Sequence, residues 1–128
     1  MRVLLDTHIA LWAVVGSRRL APRAKELILA ADDVFVSVAS LSEIATKHAL
    51  GRGDAPISSA RAPQAFSVAG YALLDIRPSH ALAVERRAPI LGGPFDQMLV
   101  AQALVEPVTL IMRDVLVASC RSAISKVG

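Results

Sequence analysis

Val3-Leu4-Leu5-Asp6-Thr7-His8-Ile9-Ala10-Leu11-Trp12 is the stretch whose reading decides the fold. Three aliphatic residues in a row make a short buried strand, and an acid stands where that strand gives way to a helix. Similar junctions follow. Glu43 lies in Ser40-Leu41-Ser42-Glu43-Ile44-Ala45, Asp96 in Pro94-Phe95-Asp96-Gln97-Met98-Leu99, and Asp114 after Leu110-Ile111-Met112-Arg113. An open parallel sheet gathers such junctions into one crevice at the carboxyl ends of its strands. Four carboxylates in one crevice repel one another, and hard cations with oxygen ligands, such as Mg²⁺ or Mn²⁺, relieve that repulsion.

Outward from this stretch, apolar pattern and punctuation predict alternating strands and helices. The strand Arg2–Leu5 leads into a helix over Thr7–Val15, and Gly16-Ser17-Arg18-Arg19 turns the chain. Pro22 suits the first position of a helix running to about Ala31. Val34–Val38 reads as a strand and Ser40–Leu50 as a helix, with Gly51-Arg52-Gly53-Asp54 stopping it. Residues 51–63 form a loop, followed by a short helix over Pro63–Ala69 and a strand over Tyr71–Ile76. A helix over Pro78–Arg87, an irregular stretch to Pro94, an apolar helix over Phe95–Val105 and a strand over Val108–Met112 come next. One or two helical turns run from Asp114 to about Ser125. This alternation argues for an α/β fold with a parallel sheet, in one domain over residues 1–128.

Composition narrows the function. The chain is 54% apolar, which disfavours disorder. No apolar run reaches the roughly 20 residues needed to span a bilayer, and Asp6 interrupts the first one too early for a signal peptide. A cytoplasmic protein is expected. The lone Cys120 excludes an internal disulfide and a multi-cysteine metal site. Lys and Arg total 14 against 11 acids. If four acids gather around cations, the remaining surface is clearly positive and suits a polyanion such as nucleic acid. One Trp, one Tyr and three Phe argue against a base-stacking platform.

Each acid also has a bland reading. Asp6 and Asp114 could cap the helices that follow them. Ser40 and Glu43 fit a capping box, and Asp96 sits where a negative charge meets the positive end of a helix dipole. The joint pattern weighs against four independent caps, because an acid beside a buried strand is costly unless paired or bound to metal. A receiver-type phosphate acceptor would add a Lys after a late strand, and the only late Lys is Lys126. His8, His48 and His80 are scattered and read as packing or surface residues. Lys47, four residues after Glu43, reads equally as a helix ion pair or as charge support at the site.

The motifs carry a family resemblance. Leu4-Leu5-Asp6-Thr7-His8 with Leu11-Trp12, Ser40-Leu41-Ser42-Glu43-Ile44-Ala45-Thr46-Lys47 and Pro94-Phe95-Asp96-Gln97-Met98-Leu99-Val100-Ala101-Gln102-Ala103 resemble a PIN-domain nuclease, more narrowly a VapC-type toxin of a type II toxin–antitoxin system. Leu110–Asp114 and the Gly70–Ala81 stretch are similar too. The resemblance implies a three-layer sandwich with a central parallel sheet flanked by helices. It also implies a Mg²⁺- or Mn²⁺-dependent ribonuclease acting on RNA, a homodimer, and a small antitoxin that covers the site. The matching acids are Asp6, Glu43, Asp96 and Asp114, with Thr7 supporting the metal site. On that resemblance Asp6 and Asp96, from the best-matched motifs, are expected to be the principal ligands, Glu43 a ligand or water-positioning base, and Asp114 to complete the set. The chain departs from the family pattern at Gly93, where an acid is usual, at Gln97, where Arg is usual, and at Met112, where Thr or Ser is common. Those departures motivate the alternative of a catalytically weak PIN-fold module that binds an antitoxin-like partner.

Overall fold

The computed structural model describes residues 1–85 and 93–112, together with the backbone of 124–126. β1 (Arg2–Leu5) is followed by α1 (Thr7–Val15), α2 (Pro22–Ala30), β2 (Asp33–Ser37), α3 (Val38–Ala49), α4 (Ala62–Val68) and β3 (Ala72–Leu74). α5 (Pro78–Glu85), α6 (Pro94–Val105), β4 (Thr109–Met112) and β5 (Ile124–Lys126) complete the order. The sheet runs β3-β2-β1-β4-β5 with every pairing parallel. This is the α/β sandwich expected of the motifs.

The strands alternate between two buried faces, which is why they read as nearly continuous apolar runs. Val3, Leu5, Val36 and Ile111 point to one side, where they pack with Ile9, Leu11 and Trp12 of α1, Ile44 of α3 and Phe66 of α4. Leu4, Leu110 and Met112 point to the other, against Ala39 of α3 and Leu99, Val100 and Ala103 of α6. In register, Leu4 lies between Phe35 and Leu110, so one row of side chains crosses three strands. Two helical layers therefore enclose one sheet, and β1 is its middle.

Several boundaries differ from the sequence reading. α3 starts at Val38 rather than Ser40, because the Ser37 hydroxyl accepts the Ala39 N–H at 2.9 Å and caps the helix there. The helical turns expected up to Ser125 do not extend through their end: Ile124–Lys126 is a fifth strand paired with Leu110–Met112. The backbone of β4 beyond β1 needs partners, and β5 supplies them. Three residues, Ile-Ser-Lys, carry too little pattern to announce a strand. α1 ends as expected at Gly16, whose φ of +65° is a left-handed conformation that favours glycine.

The apolar faces of α1 are used inside. Ile9, Leu11 and Trp12 are buried, Leu27 of α2 packs partly buried against the same cluster, and Val15 at the end of α1 is exposed. Among the described residues no helix is long and apolar enough to cross a membrane.

His80 is wholly buried beneath α5 rather than at the surface. Its Nδ1 accepts the Arg77 N–H at 3.0 Å, so the ring proton sits on Nε2 and is donated to Glu106 Oε2 at 2.6 Å. This pair joins α5 to the C-terminal end of α6. His80→Ala is expected to lower unfolding free energy by about 2–4 kcal/mol, because it leaves a cavity and strips Glu106 of its donor. Leu82→Ala, on the exposed side of the same helix, should change it by less than about 0.5 kcal/mol. Urea unfolding of both variants checks the contrast.

Candidate active site

Asp6 is placed by backbone on both sides. Its N–H donates to the Ile111 carbonyl at 2.9 Å, tying the end of β1 to β4, and its carbonyl accepts the Ala10 N–H at 2.9 Å, starting α1. The chain leaves β1 towards β2 on one side, while β4 lies on the other. Asp6 thus stands at the switch point of the sheet, where open α/β folds form their crevice. It occupies the N-cap position of α1, yet its side chain makes no capping hydrogen bond. The capping role does not account for this acid.

Glu43 is not a capping-box residue either. With α3 capped by Ser37, Glu43 lies in the second turn and reaches across to α1. Thr7 Oγ1 is 2.8 Å from Glu43 Oε1 and 2.8 Å from Ser40 Oγ. Thr7 has one hydroxyl proton and an ionised carboxylate can only accept. Thr7 therefore donates to Glu43, and the Ser40 hydroxyl serves Thr7 from the turn before Glu43 on the same helix face. Lys47 Nζ donates to Glu43 Oε2 at 2.6 Å from the following turn. The result is a buried chain, Ser40–Thr7–Glu43–Lys47, that fixes both oxygens of one carboxylate. Ser40 was legible only as a cap, although its position three residues before Glu43 puts both on one helix face.

Asp96 is half-buried in the first turn of α6, where the dipole favours it. Gly93 holds the N-cap position of that helix and offers no side-chain cap. A Cβ at Gly93 would meet nothing within 4 Å. Asp114, with Arg86, Arg87, Leu91, Gly92 and Cys120, lies outside the described residues.

A small recess, open to solvent, lies beside Glu43. Thr7, Glu43 and Lys47 line it together with His8, Trp12 and Arg19. The loop after α3 also lines it, and there Gly53 packs close against α3: a Cβ at Gly53 would come within 3.1 Å of His48 Cα. His8 and Trp12 are tilted at 48° with ring centroids 5.7 Å apart. Trp12 is only 8% exposed, so it offers no face for stacking.

A family profile for the PIN domain matches residues 3–116, which include all four acids. The chain belongs to the PIN-domain family. No curated relative matches the sequence. Solved structures share the fold at low identity. A toxin–antitoxin complex from Klebsiella pneumoniae is 17% identical, with a TM-score of 0.68 and 98% of both chains covered. VapBC2 from Rickettsia felis, solved on a promoter DNA fragment, is 14% identical, with a TM-score of 0.66 and 98% of both chains covered. VapC20 from Mycobacterium tuberculosis, described as a sarcin-ricin loop cleaving toxin, is 18% identical, with a TM-score of 0.64 over 93% of this chain and 95% of that one.

Within this PIN domain, Asp6 and Glu43 are the two buried acids among the described residues, each 7% exposed. Both belong to the motifs singled out from sequence, and Thr7 connects them. Their oxygen-only chemistry fits a hard divalent cation. Among the described residues no three of His, Cys, Asp and Glu gather closely enough to hold a metal ion. Mg²⁺ commonly takes only one or two protein carboxylates and fills its remaining positions with water and substrate phosphate, so the donor set is compatible with it.

Thr7→Val keeps the volume of Thr7 and removes the hydroxyl that links Ser40 to Glu43. It should cost about 1–3 kcal/mol of stability, since a buried carboxylate loses its donor. Thr7→Ser should retain most of that stability. Urea midpoints of the two variants measure the difference.

Proposed function

We propose that this PIN domain is a metal-dependent endoribonuclease acting in the cytoplasm as the toxin of a toxin–antitoxin pair. The observation that carries the reading is the burial of Asp6 at the sheet's switch point and of Glu43, which accepts a hydrogen bond from Thr7, the residue after Asp6. Two buried acids without a capping role beside such a crevice have the oxygen chemistry that a hard divalent cation takes. The fold shared with VapC20 and with toxin–antitoxin complexes supports the biological half of the proposal.

In this account Asp6 and Asp96 hold Mg²⁺ or Mn²⁺, Glu43 is a further ligand or positions the attacking water, and Asp114 completes the set. A divalent cation held by these residues would supply Lewis acidity for the scissile phosphodiester and a water of lowered pKa. Thr7 and Ser40 keep Glu43 in one orientation, so its carboxylate is aimed before substrate arrives. The burial of Asp6 limits competing solvent around its oxygens. Lys47 and Arg19, at the rim of the recess, supply positive charge for the RNA backbone.

Asp6→Asn and Asp96→Asn should each abolish Mg²⁺- or Mn²⁺-dependent RNA cleavage while leaving the far-ultraviolet circular dichroism spectrum unchanged. Full activity in either variant, or cleavage that persists in excess chelator, contradicts the assignment.

A second reading rests on Gly93 and Gln97. An uncharged N-cap and an uncharged residue after Asp96 remove charges the family pattern usually places at the start of α6. On that reading the protein is a catalytically weak module that binds an antitoxin-like partner. Purified protein that binds the partner but leaves RNA intact at saturating Mn²⁺ would favour it.

For the toxin role we expect a homodimer and a small antitoxin that places a basic side chain, Arg by its fit to carboxylates, beside the acids. Co-expression with the neighbouring short reading frame, light scattering of the purified complex and a cleavage assay with and without the partner test this. Inhibition by a co-purifying partner is the expected result. A strictly monomeric protein with no such partner removes the toxin role and leaves the nuclease standing.

A further inference from the structure

Both oxygens of Glu43 are engaged. Oε1 takes the Thr7 hydroxyl and Oε2 takes the Lys47 ammonium at 2.6 Å. The Glu43 side chain is 9% exposed and that of Lys47 is 40% exposed. A pair four residues apart on a solvated helix contributes little. Here the carboxylate is buried, and a buried carboxylate without a counter-charge is strongly unfavourable. Helix α3 therefore supplies the compensating charge from its own next turn.

We propose that Lys47 is a built-in counter-ion that a divalent cation must displace from Glu43, so that Lys47 sets how tightly this site holds metal. The inference rests on the metal-dependent reading given under Proposed function. A cation coordinated by Glu43 and an ammonium in contact with the same carboxylate are like charges at close range, and they repel. The Thr7 hydroxyl is neutral and need not leave. Lys47 can leave, because its charge is a point on a flexible four-carbon stem and part of that stem already reaches solvent. The recess that Glu43 and Lys47 both line gives the displaced ammonium somewhere to go, and Asp54 is also among its lining residues. Lys47 thus acts as a positioning residue. It neutralises the metal-free site and weakens metal binding in proportion.

The test is Mn²⁺ binding to wild-type protein and to Lys47→Met, followed by the electron paramagnetic resonance signal of free Mn²⁺, with thermal melting in parallel. Lys47→Met should melt below wild type without metal. Its Mn²⁺ dissociation constant should fall by roughly threefold to fivefold, the range expected for removing one partly solvated charge. Its rise in melting temperature on adding Mn²⁺ should exceed that of wild type. Lys47→Arg, which keeps the charge, should bind Mn²⁺ like wild type. Should Lys47→Met not fold, Lys47→Gln carries the test, since its amide can still donate to Glu43 without a charge. Mn²⁺ affinity that is unchanged or weaker in the neutral variants overturns the proposal and leaves the metal reading intact. Mn²⁺ binding to neither wild type nor variant overturns both.

Discussion

Val3, Leu4 and Leu5 are wholly buried in the middle strand of a parallel sheet, and Asp6 follows them with its N–H donated to the Ile111 carbonyl. Both faces of β1 are covered, so these residues have no freedom to slip in register: a shift by one would exchange Leu4 for Val3 and Leu5 across two separately packed layers. The strand's end is fixed as firmly as its middle. Whatever stands at position 6 is held at the boundary between the two halves of the sheet, and Thr7 is aimed at α3 from the first turn of α1. The placement of the acids depends on this constraint before any interaction among them is considered.

From that anchor the site is assembled by side chains that reach between elements. Thr7 of α1 binds Glu43 and Ser40 of α3, and Lys47 closes the chain from the next turn. The network compensates a buried carboxylate with one neutral donor and one charged donor. On the proposal that a cation binds here, these would differ: the hydroxyl would continue to orient Glu43, while the ammonium would compete.

Much of this was legible in the sequence. Val3–Trp12 predicts both the central strand and the helix after it, because an aliphatic run followed by an acid and a 3.6-residue apolar pattern has few other solutions. The alternating order predicts the parallel sheet, and the Asp6 and Glu43 motifs are the described acids the structure buries. What was not legible lies in contacts between distant positions. Ser40 and Glu43 have the spacing of a capping box, but Ser37 takes the cap and frees both for Thr7. His80 has no sequence neighbour to announce its partner, since Glu106 lies 26 residues away on another helix. The edge strand Ile124–Lys126 is defined by the pairing needs of β4 rather than by its own three residues.

The central claim is that these carboxylates hold a divalent cation. Anomalous diffraction at the manganese absorption edge from crystals of the protein grown with Mn²⁺ tests it most directly. The account predicts a peak at coordination distance, about 2.0–2.2 Å, from oxygens of Asp6 and Asp96, at the switch point beside the Thr7–Glu43 hydrogen bond. A peak elsewhere on the molecule, or none at Mn²⁺ concentrations that support RNA cleavage, would contradict it.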